Sequence, residues 1–236
     1  MTPQLNEIWV YLSASPLLGL TVTLLAYQAA FWLYRRSGMN PLANPVLIAV
    51  TILVLLLTLT ATSYETYFAG AQFVHFLLGP ATVALAVPLY TQFRRVRSLL
   101  LPVLAGLVAG SLTAALSAIA VARLFGASLP TQLSLAPKSV TTPIAMGIAE
   151  RIGGSPSLTA VLVIVTGILG AVGARYVFDA IKVRDPAIRG FAIGIASHGI
   201  GTARAFQVNE QSGAFAALAM GMNGALTALL VPSIAA

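Results

Sequence analysis

The chain lacks cysteine altogether and contains only two histidines, so several chemistries are excluded or poorly supported. Without cysteine there can be no disulfide, no thiol nucleophile and no thiolate metal ligand. His75 and His198 lie far apart in the sequence, which gives little support to an imidazole metal site. Ser197 and His198 are neighbours, but they do not form a nucleophile-elbow motif. We therefore expect no metal, no cofactor and no enzymatic activity.

Charged side chains are also scarce. They make up 8% of the chain against 58% apolar residues, and the mean hydropathy of +0.91 lies far outside the range of a soluble domain. The net charge of +7 could indicate nucleic acid, but the basic residues form short clusters beside apolar runs, as topology signals do. The sequence thus predicts an integral membrane protein that contacts the lipid bilayer and no nucleic acid.

The apolar runs lack the alternation of a barrel strand and therefore predict helices. The expected fold is all-α: a single polytopic helical membrane domain, 1–236, with discontinuous or re-entrant helices. The segment that contains Gly79, Pro80 and Pro88 should be kinked or discontinuous, because these residues interrupt a helix. Helical segments are expected at 13–34, 42–62, 64–78, 79–93, 98–125, 129–152, 155–178, 190–208 and 211–234, the third of them interfacial or half-inserted.

The basic residues predict the orientation of these segments. Under the positive-inside rule the cytoplasmic side holds three clusters: Arg35 with Arg36, Arg94 with Arg95 and Arg97, and Arg175 with Lys182, Arg184 and Arg189. The N-terminus with Glu7 then lies outside. In this topology 129–152 must enter and leave on the outer side as a re-entrant hairpin. The stretch 186–208 could be its counterpart from the opposite face, as in alternating-access carriers.

Two short motifs recur 120 residues apart. GPAT at 79–82 aligns with GIGT at 199–202, and each precedes a run of small residues. The match is only a few residues long. It fits an internal, inverted repeat, and it fits coincidence in a chain rich in Gly, Ala and Thr.

A polar stretch bracketed by prolines, APKSVTTPIA at 136–145, interrupts the apolar sequence. Such a segment survives at membrane depth only inside protein or beside a wet cavity, which is typical of a binding site or a gate. A carboxylate needs a cation or aligned donors in place of water. Lys138, Ser139, Thr141 and Thr142 are therefore the first candidates for its contacts. Alternatively, Lys138 snorkels to the interface and the hydroxyls bond their own helix.

A second polar stretch, SHGIGTARA at 197–205, supplies further candidates. Arg204 could bind a carboxylate bidentately, and His198 could donate a hydrogen bond or carry a proton, with Thr202 beside them. Each has a structural alternative, since Arg204 could pair with an acidic residue and His198 could simply pack among small residues. Thr82 is a weaker candidate of the same kind, because its Gly-Pro neighbours could merely kink a helix.

Four blocks of sequence carry a resemblance to a known family: LLGPATVALAVPLY (77–90), PKSVTTPIAMGIAERIGG (137–154), GILGAVGARYVFDAIKVRDPAIRGFAIG (167–194) and SHGIGTARAF (197–206). They closely resemble the LrgB/CidB family of bacterial inner-membrane proteins over nearly the whole chain. The family was described as holin/antiholin-like modulators of murein hydrolase activity and autolysis. Related proteins carry small carboxylates such as pyruvate, and the plastidial glycolate/glycerate translocator is similar to an LrgA-type and an LrgB-type unit fused. The resemblance implies a multi-pass inner-membrane protein, in a homo- or hetero-oligomer, with an LrgA/CidA-type membrane protein as partner.

Two functions follow from these observations. Broken helices around a compact polar site favour a secondary carrier of small carboxylates, such as pyruvate, glycolate or glycerate. The alternative is a holin/antiholin-like modulator of autolysis that acts through pore formation and needs no such site. Other polar residues are weaker candidates: Glu150 and Asp179 are the plausible proton-relay residues, and Asn223 should make a cross-helix hydrogen bond within the last span.

Overall fold

The computed structural model describes the backbone of residues 16–235. Glu7 and the start of the segment expected at 13–34 lie outside the described residues. Within the described range, side chains are given for all residues except Pro16, His75, Leu78, Gly79, Thr82, Ala86, Leu89, Ile234 and Ala235. The described part of the chain contains helices and no strand, which confirms the all-α class.

The chain forms two compact units, the first ending at Ala84 and the second beginning at Leu85. In the first unit a short 3₁₀ turn, Pro41–Ala43, separates the first two helices. Its α-helices are α1 (Pro16–Arg36), α2 (Pro45–Leu59), α3 (Tyr64–Phe76) and α4 (Leu78–Ala84).

The second unit holds the polar stretches singled out in the sequence. Its α-helices are α5 (Ala86–Thr91), α6 (Phe93–Ser98), α7 (Leu100–Leu124), α8 (Leu129–Leu135), α9 (Thr142–Ile152), α10 (Pro156–Ala180), α11 (Pro186–Val208) and α12 (Glu210–Ala235). The expected discontinuity of 79–93 is confirmed, because α4, α5 and α6 divide this stretch into short helices.

Four helices in the described residues are long and apolar enough to cross a membrane: Leu17–Arg36, Leu100–Leu124, Pro156–Ala180 and Glu210–Ser233. At a rise of about 1.5 Å per residue, a helix of 25 residues is about 37 Å long. That length exceeds the hydrocarbon thickness of about 30 Å. The chain is therefore a multi-pass membrane protein.

The segment expected as a full span at 42–62 forms a shorter helix. α2 has 15 residues, about 22 Å in length. It begins late because the Asn44 side chain accepts hydrogen bonds from the amides of Val46 and Leu47 at 2.9 and 3.1 Å and so caps the helix. It ends early because Ala61 takes a positive φ of 51°.

The basic connection expected between residues 175 and 189 is also shorter than predicted. Arg175 lies in α10 and Arg189 in α11, so only residues 181–185 connect these helices. Asp185 caps α11 by accepting from the Ala187 amide at 2.8 Å, and it pairs with Arg95 at 2.8 Å. Asp179 pairs with Arg189 and therefore joins the ends of the two helices.

Helices α11 and α12 pack closely through small residues. A Cβ atom at Gly190 would collide with the Ser212 carbonyl, and one at Gly194 would collide with the Ala216 carbonyl. Small residues let the backbones of two membrane helices approach closely. The resulting van der Waals contacts stabilise the pair, because the hydrophobic effect does not drive helices together within lipid. This contact fixes the first half of α11 against α12 and so positions the polar site.

Candidate functional site

Residues 136–141 form the break between α8 and α9 that the prolines predicted. The Lys138 amide donates to the Leu135 carbonyl at 3.1 Å, and the Val140 amide donates to the Pro137 carbonyl at 3.2 Å, so the backbone turns here. Pro143 lies in the first turn of α9, where a missing N–H does not interrupt the helix. The break is buried around Val140, which is 1% exposed.

The residues that follow α9 contact the end of α8. The Ser155 amide donates to Ser134 Oγ at 2.8 Å, and Thr159 Oγ1 donates to the Ser134 carbonyl at 3.1 Å. A Cβ atom at Gly154 would lie 3.0 Å from the Ser134 nitrogen, so the backbones touch. The segment between Ser134 and Ser155 is a closed loop, which is the geometry that a re-entrant hairpin requires.

The second polar stretch also breaks its helix. His198 has φ 40° and ψ −133° in the middle of α11, although a positive φ is uncommon for a residue other than glycine. Residues 186–197 and 199–208 are therefore two half-helices. The Thr202 hydroxyl donates to the His198 carbonyl four residues earlier at 2.7 Å, a bond that Ser and Thr side chains make within helices.

Asn223 of α12 joins the two breaks. Its Nδ2 donates to the Ser139 carbonyl at 3.2 Å and to the Ile195 carbonyl at 3.1 Å, while its Oδ1 accepts from Ser111 Oγ of α7 at 2.5 Å. Thr227 Oγ1 donates to the same Oδ1 at 3.3 Å. Asn223 is only 1% exposed, so these partners replace water completely.

The structure thus gives Asn223 a larger role than the sequence predicted. The sequence signal was the lone amide within the last apolar span. The single cross-helix bond expected there proves to be a set of contacts that includes a carbonyl of the 136–141 break and one from the last turn before His198.

A cavity of about 1030 Å³ lies within the second unit, between α7, α10, α11 and the 136–141 break. Most of its lining is apolar, with contributions from Val103, Phe191, Ile195 and Phe215. Its polar lining residues are Thr113, Lys138, Ser139, Thr166 and Ser197. One side chain among them carries a formal charge, namely Lys138. The two breaks therefore contribute to the same cavity, through Lys138 and Ser139 on one side and Ser197 on the other.

Lys138 is half-buried at the wall of this cavity. Its Nζ donates to Ser139 Oγ at 3.3 Å, and the structure gives it no carboxylate partner among the described residues. An ammonium group at membrane depth is costly unless it is paired or hydrated. An anion in the cavity would supply the missing negative charge.

Two glycines of α10 make room for the break in α11. A Cβ atom at Gly167 would lie 2.8 Å from His198 Cε1, and one at Gly170 would overlap Ser197 Oγ. His198 is 4% exposed, and its Nε2 donates to the Val163 carbonyl at 3.0 Å. This histidine therefore packs against α10 and is not part of the cavity lining.

The other predicted contacts lie outside the cavity lining. Thr141 and Thr142 are half-buried at the start of α9, and Thr202 is buried, with its hydroxyl 3.8 Å from Met220 Sδ. Arg204 is half-buried, and its Nη1 donates to Gln207 Oε1 at 3.5 Å. The Thr82 side chain lies outside the described residues.

Within the described residues no group of three or more His, Asp or Glu side chains could hold a metal ion. What this arrangement offers instead is one ammonium group, neighbouring hydroxyls and apolar walls. That set can replace the hydration of a small anion.

Comparison with known proteins gives one family. The family model described as LrgB-like matches residues 23–236. The chain is similar to two proteins of Bacillus subtilis (strain 168), both 34% identical to it. The match to uncharacterized protein YxaC covers 90% of this chain and 92% of that protein. The match to uncharacterized protein YwbG covers 92% of this chain and 96% of that protein. It is 31% identical to the antiholin-like protein LrgB of Bacillus cereus (strain B4264), over 92% of this chain and 95% of that protein. No solved structure matches the chain.

Proposed function

This chain belongs to the LrgB-like family, and we propose that it is a secondary carrier of small carboxylates such as pyruvate, glycolate or glycerate. The observation that carries this proposal is Lys138, which lines the cavity from a backbone break and whose ammonium group has no ion-pair partner among the described residues. We take the cavity as the binding site and Lys138 as the group that neutralises the substrate.

The chemistry of the cavity supports an anionic substrate. A carboxylate that enters a low-dielectric site loses its hydration and must recover hydrogen bonds and charge there. Lys138 provides the charge, and the hydroxyls of Ser139 and Ser197 lie on the walls that the two breaks contribute. Charged hydrogen bonds of this kind are about twice as strong as neutral ones.

The broken helices support a carrier mechanism. Carriers bind their substrates at discontinuous helices, and one bundle of helices rocks as a rigid body against another around the fixed site. Here the 136–141 break and the half-helix that ends at His198 both bond to Asn223, so they share one anchor. We propose that tilting around this anchor opens the cavity alternately to either side of the membrane.

A second candidate function rests on the relatives. The Bacillus cereus relative is named antiholin-like protein LrgB, which favours a role in the control of autolysis, acting through pore formation. On this reading the protein permeabilises the membrane or restrains a partner that does. In either case we propose an LrgA/CidA-type membrane protein as the partner and the bacterial inner membrane as the location.

Reconstitution into proteoliposomes separates the two functions. The chain is reconstituted alone and together with an LrgA/CidA-type protein, and uptake of labelled pyruvate is compared with release of an entrapped neutral sugar. A carrier gives saturable pyruvate uptake without sugar release. Release of the sugar, with pyruvate flux that does not saturate, would refute the carrier and support the pore.

The two lysines of the chain give a matched pair of variants. Lys138→Gln should lower pyruvate uptake at least tenfold, because the site loses its only charge. Lys182→Gln removes the same charge from an exposed loop and should leave uptake unchanged. Wild-type uptake in a well-expressed Lys138→Gln variant would remove Lys138 from the site.

A further inference from the structure

The residues that line the cavity determine which carboxylates it can bind. Building on the proposed function, we infer that, among the carboxylates the site accepts, monocarboxylates with a larger apolar substituent bind more tightly than pyruvate and much more tightly than dicarboxylates. The charge, the surface and the size of the cavity support this selectivity.

The charge of the lining matches one carboxylate. Lys138 is the single charged residue among the described residues that line the cavity, and the remaining polar lining is hydroxyl. A second carboxylate on the substrate would face apolar side chains such as Ile195 and Phe191. An unpaired charge there would lose its hydration without a replacement, so dicarboxylates are disfavoured.

The surface of the lining matches an apolar substituent. Val103, Ile188, Phe191, Ile195 and Phe215 contribute aliphatic and aromatic surface from three helices. Each methylene that moves from water onto such a surface gains affinity by about fourfold. A substrate with a longer or branched side chain should therefore bind more tightly than pyruvate.

The size of the cavity points the same way. Its volume of about 1030 Å³ reaches the upper end of small-molecule sites, which run to about 1000 Å³. A two-carbon or three-carbon acid would occupy only a small part of it. The glycines at 106 and 110 keep this space open, because Cβ atoms there would lie 3.4 Å from Phe191 and 3.1 Å from Ile195.

Competition against labelled pyruvate uptake in proteoliposomes measures this selectivity. The competitors are the unlabelled 2-oxo acids 2-oxobutyrate, 2-oxopentanoate, 4-methyl-2-oxopentanoate and phenylpyruvate, together with 2-oxoglutarate. Inhibition constants should fall about threefold to fourfold for each added methylene. 2-Oxoglutarate should inhibit at least tenfold more weakly than 2-oxopentanoate, from which it differs by the second carboxylate.

Two alanines of α7 provide the matched control. Ala109 lines the cavity and Ala120 does not, and both are exposed. Ala109→Phe should flatten the dependence on chain length, because the new ring fills the space that the substituent uses. Ala120→Phe should preserve the wild-type dependence.

The outcomes separate this inference from the proposed function. Saturable pyruvate uptake with equal inhibition by all the acids would overturn the inference and leave the carrier intact. A dependence on chain length that persists in Ala109→Phe would also overturn it, because the acids would then act from the bilayer. If pyruvate uptake does not saturate, the carrier itself fails.

Discussion

Replacing Asn223 tests whether the two breaks depend on a common anchor. Asn223→Leu keeps a similar side-chain volume but removes both donors that reach the Ser139 and Ile195 carbonyls. The Ser139 carbonyl belongs to the 136–141 break, and the Ile195 carbonyl lies in the last turn before the break at His198. We expect both to remain buried and unpaired in the variant, because Asn223 is itself 1% exposed.

The magnitude follows from these two bonds. Hydrogen bonds between membrane helices contribute about 0.6 kcal/mol on average and about 1.7 kcal/mol at most. Losing two of them should lower the free energy of unfolding by about 1 to 3 kcal/mol. Ser111 and Thr227 add little to this loss, since their hydroxyls can turn to carbonyls of their own helices.

The assay is reversible unfolding in mixed micelles, followed by the loss of helical circular dichroism. Thr227→Val serves as the control, because it removes the 3.3 Å bond to Oδ1 and leaves both carbonyls bonded. It should cost less than about 0.6 kcal/mol. Equal stability of Asn223→Leu and the wild type would refute the anchor, since the carbonyls would then find other donors.

Two further predictions concern packing and topology. Gly170→Ala should destabilise the protein by about 1 to 3 kcal/mol through overpacking, because its Cβ would overlap Ser197 Oγ, whereas Gly173→Ala meets no atom within 4 Å and should gain up to about 1 kcal/mol. Unfolding in micelles measures the stability of both variants. Equal stability of Gly170→Ala and Gly173→Ala would mean that α10 does not pack as closely against Ser197 as the structure shows. Single cysteines at 127–132 and at 179–187 should react with an impermeant maleimide from opposite sides of the membrane. Labelling of both from one side would contradict the re-entrant hairpin.

The helix order and the positions of both breaks could be predicted because they depend on local chemistry. Proline at 137 and small residues around His198 disfavour a regular helix whatever they pack against. The shortness of α2 was not predicted, although the Asn44-Pro45 pair is a recognisable helix start. The predicted segment, 42–62, was too long because it was drawn from apolar composition without regard to the residues that cap the helix.

The membership of the site was harder to predict because it depends on how the helices are rotated. The positive φ of His198 resets the helical phase within α11. Ser197, before the break, therefore lines the cavity, while Thr202 and Arg204, after it, do not. Ala109 gives no chemical signal at all, since its place in the wall comes only from the packing of α7.

The burial of polar groups in the second unit helps to distinguish a carrier mechanism from pore formation between copies of the chain. Ser111, Ser139 and Asn223 are all buried, and they bond to one another or to backbone within the unit. The exposed sides of α7 and α10 carry large apolar residues outside the cavity lining, among them Leu116 and Val161. A pore formed between copies along these faces would be lined by hydrocarbon, which repels water and ions. The burial of polar groups within the unit therefore fits the proposed transport through the unit better than a pore between copies.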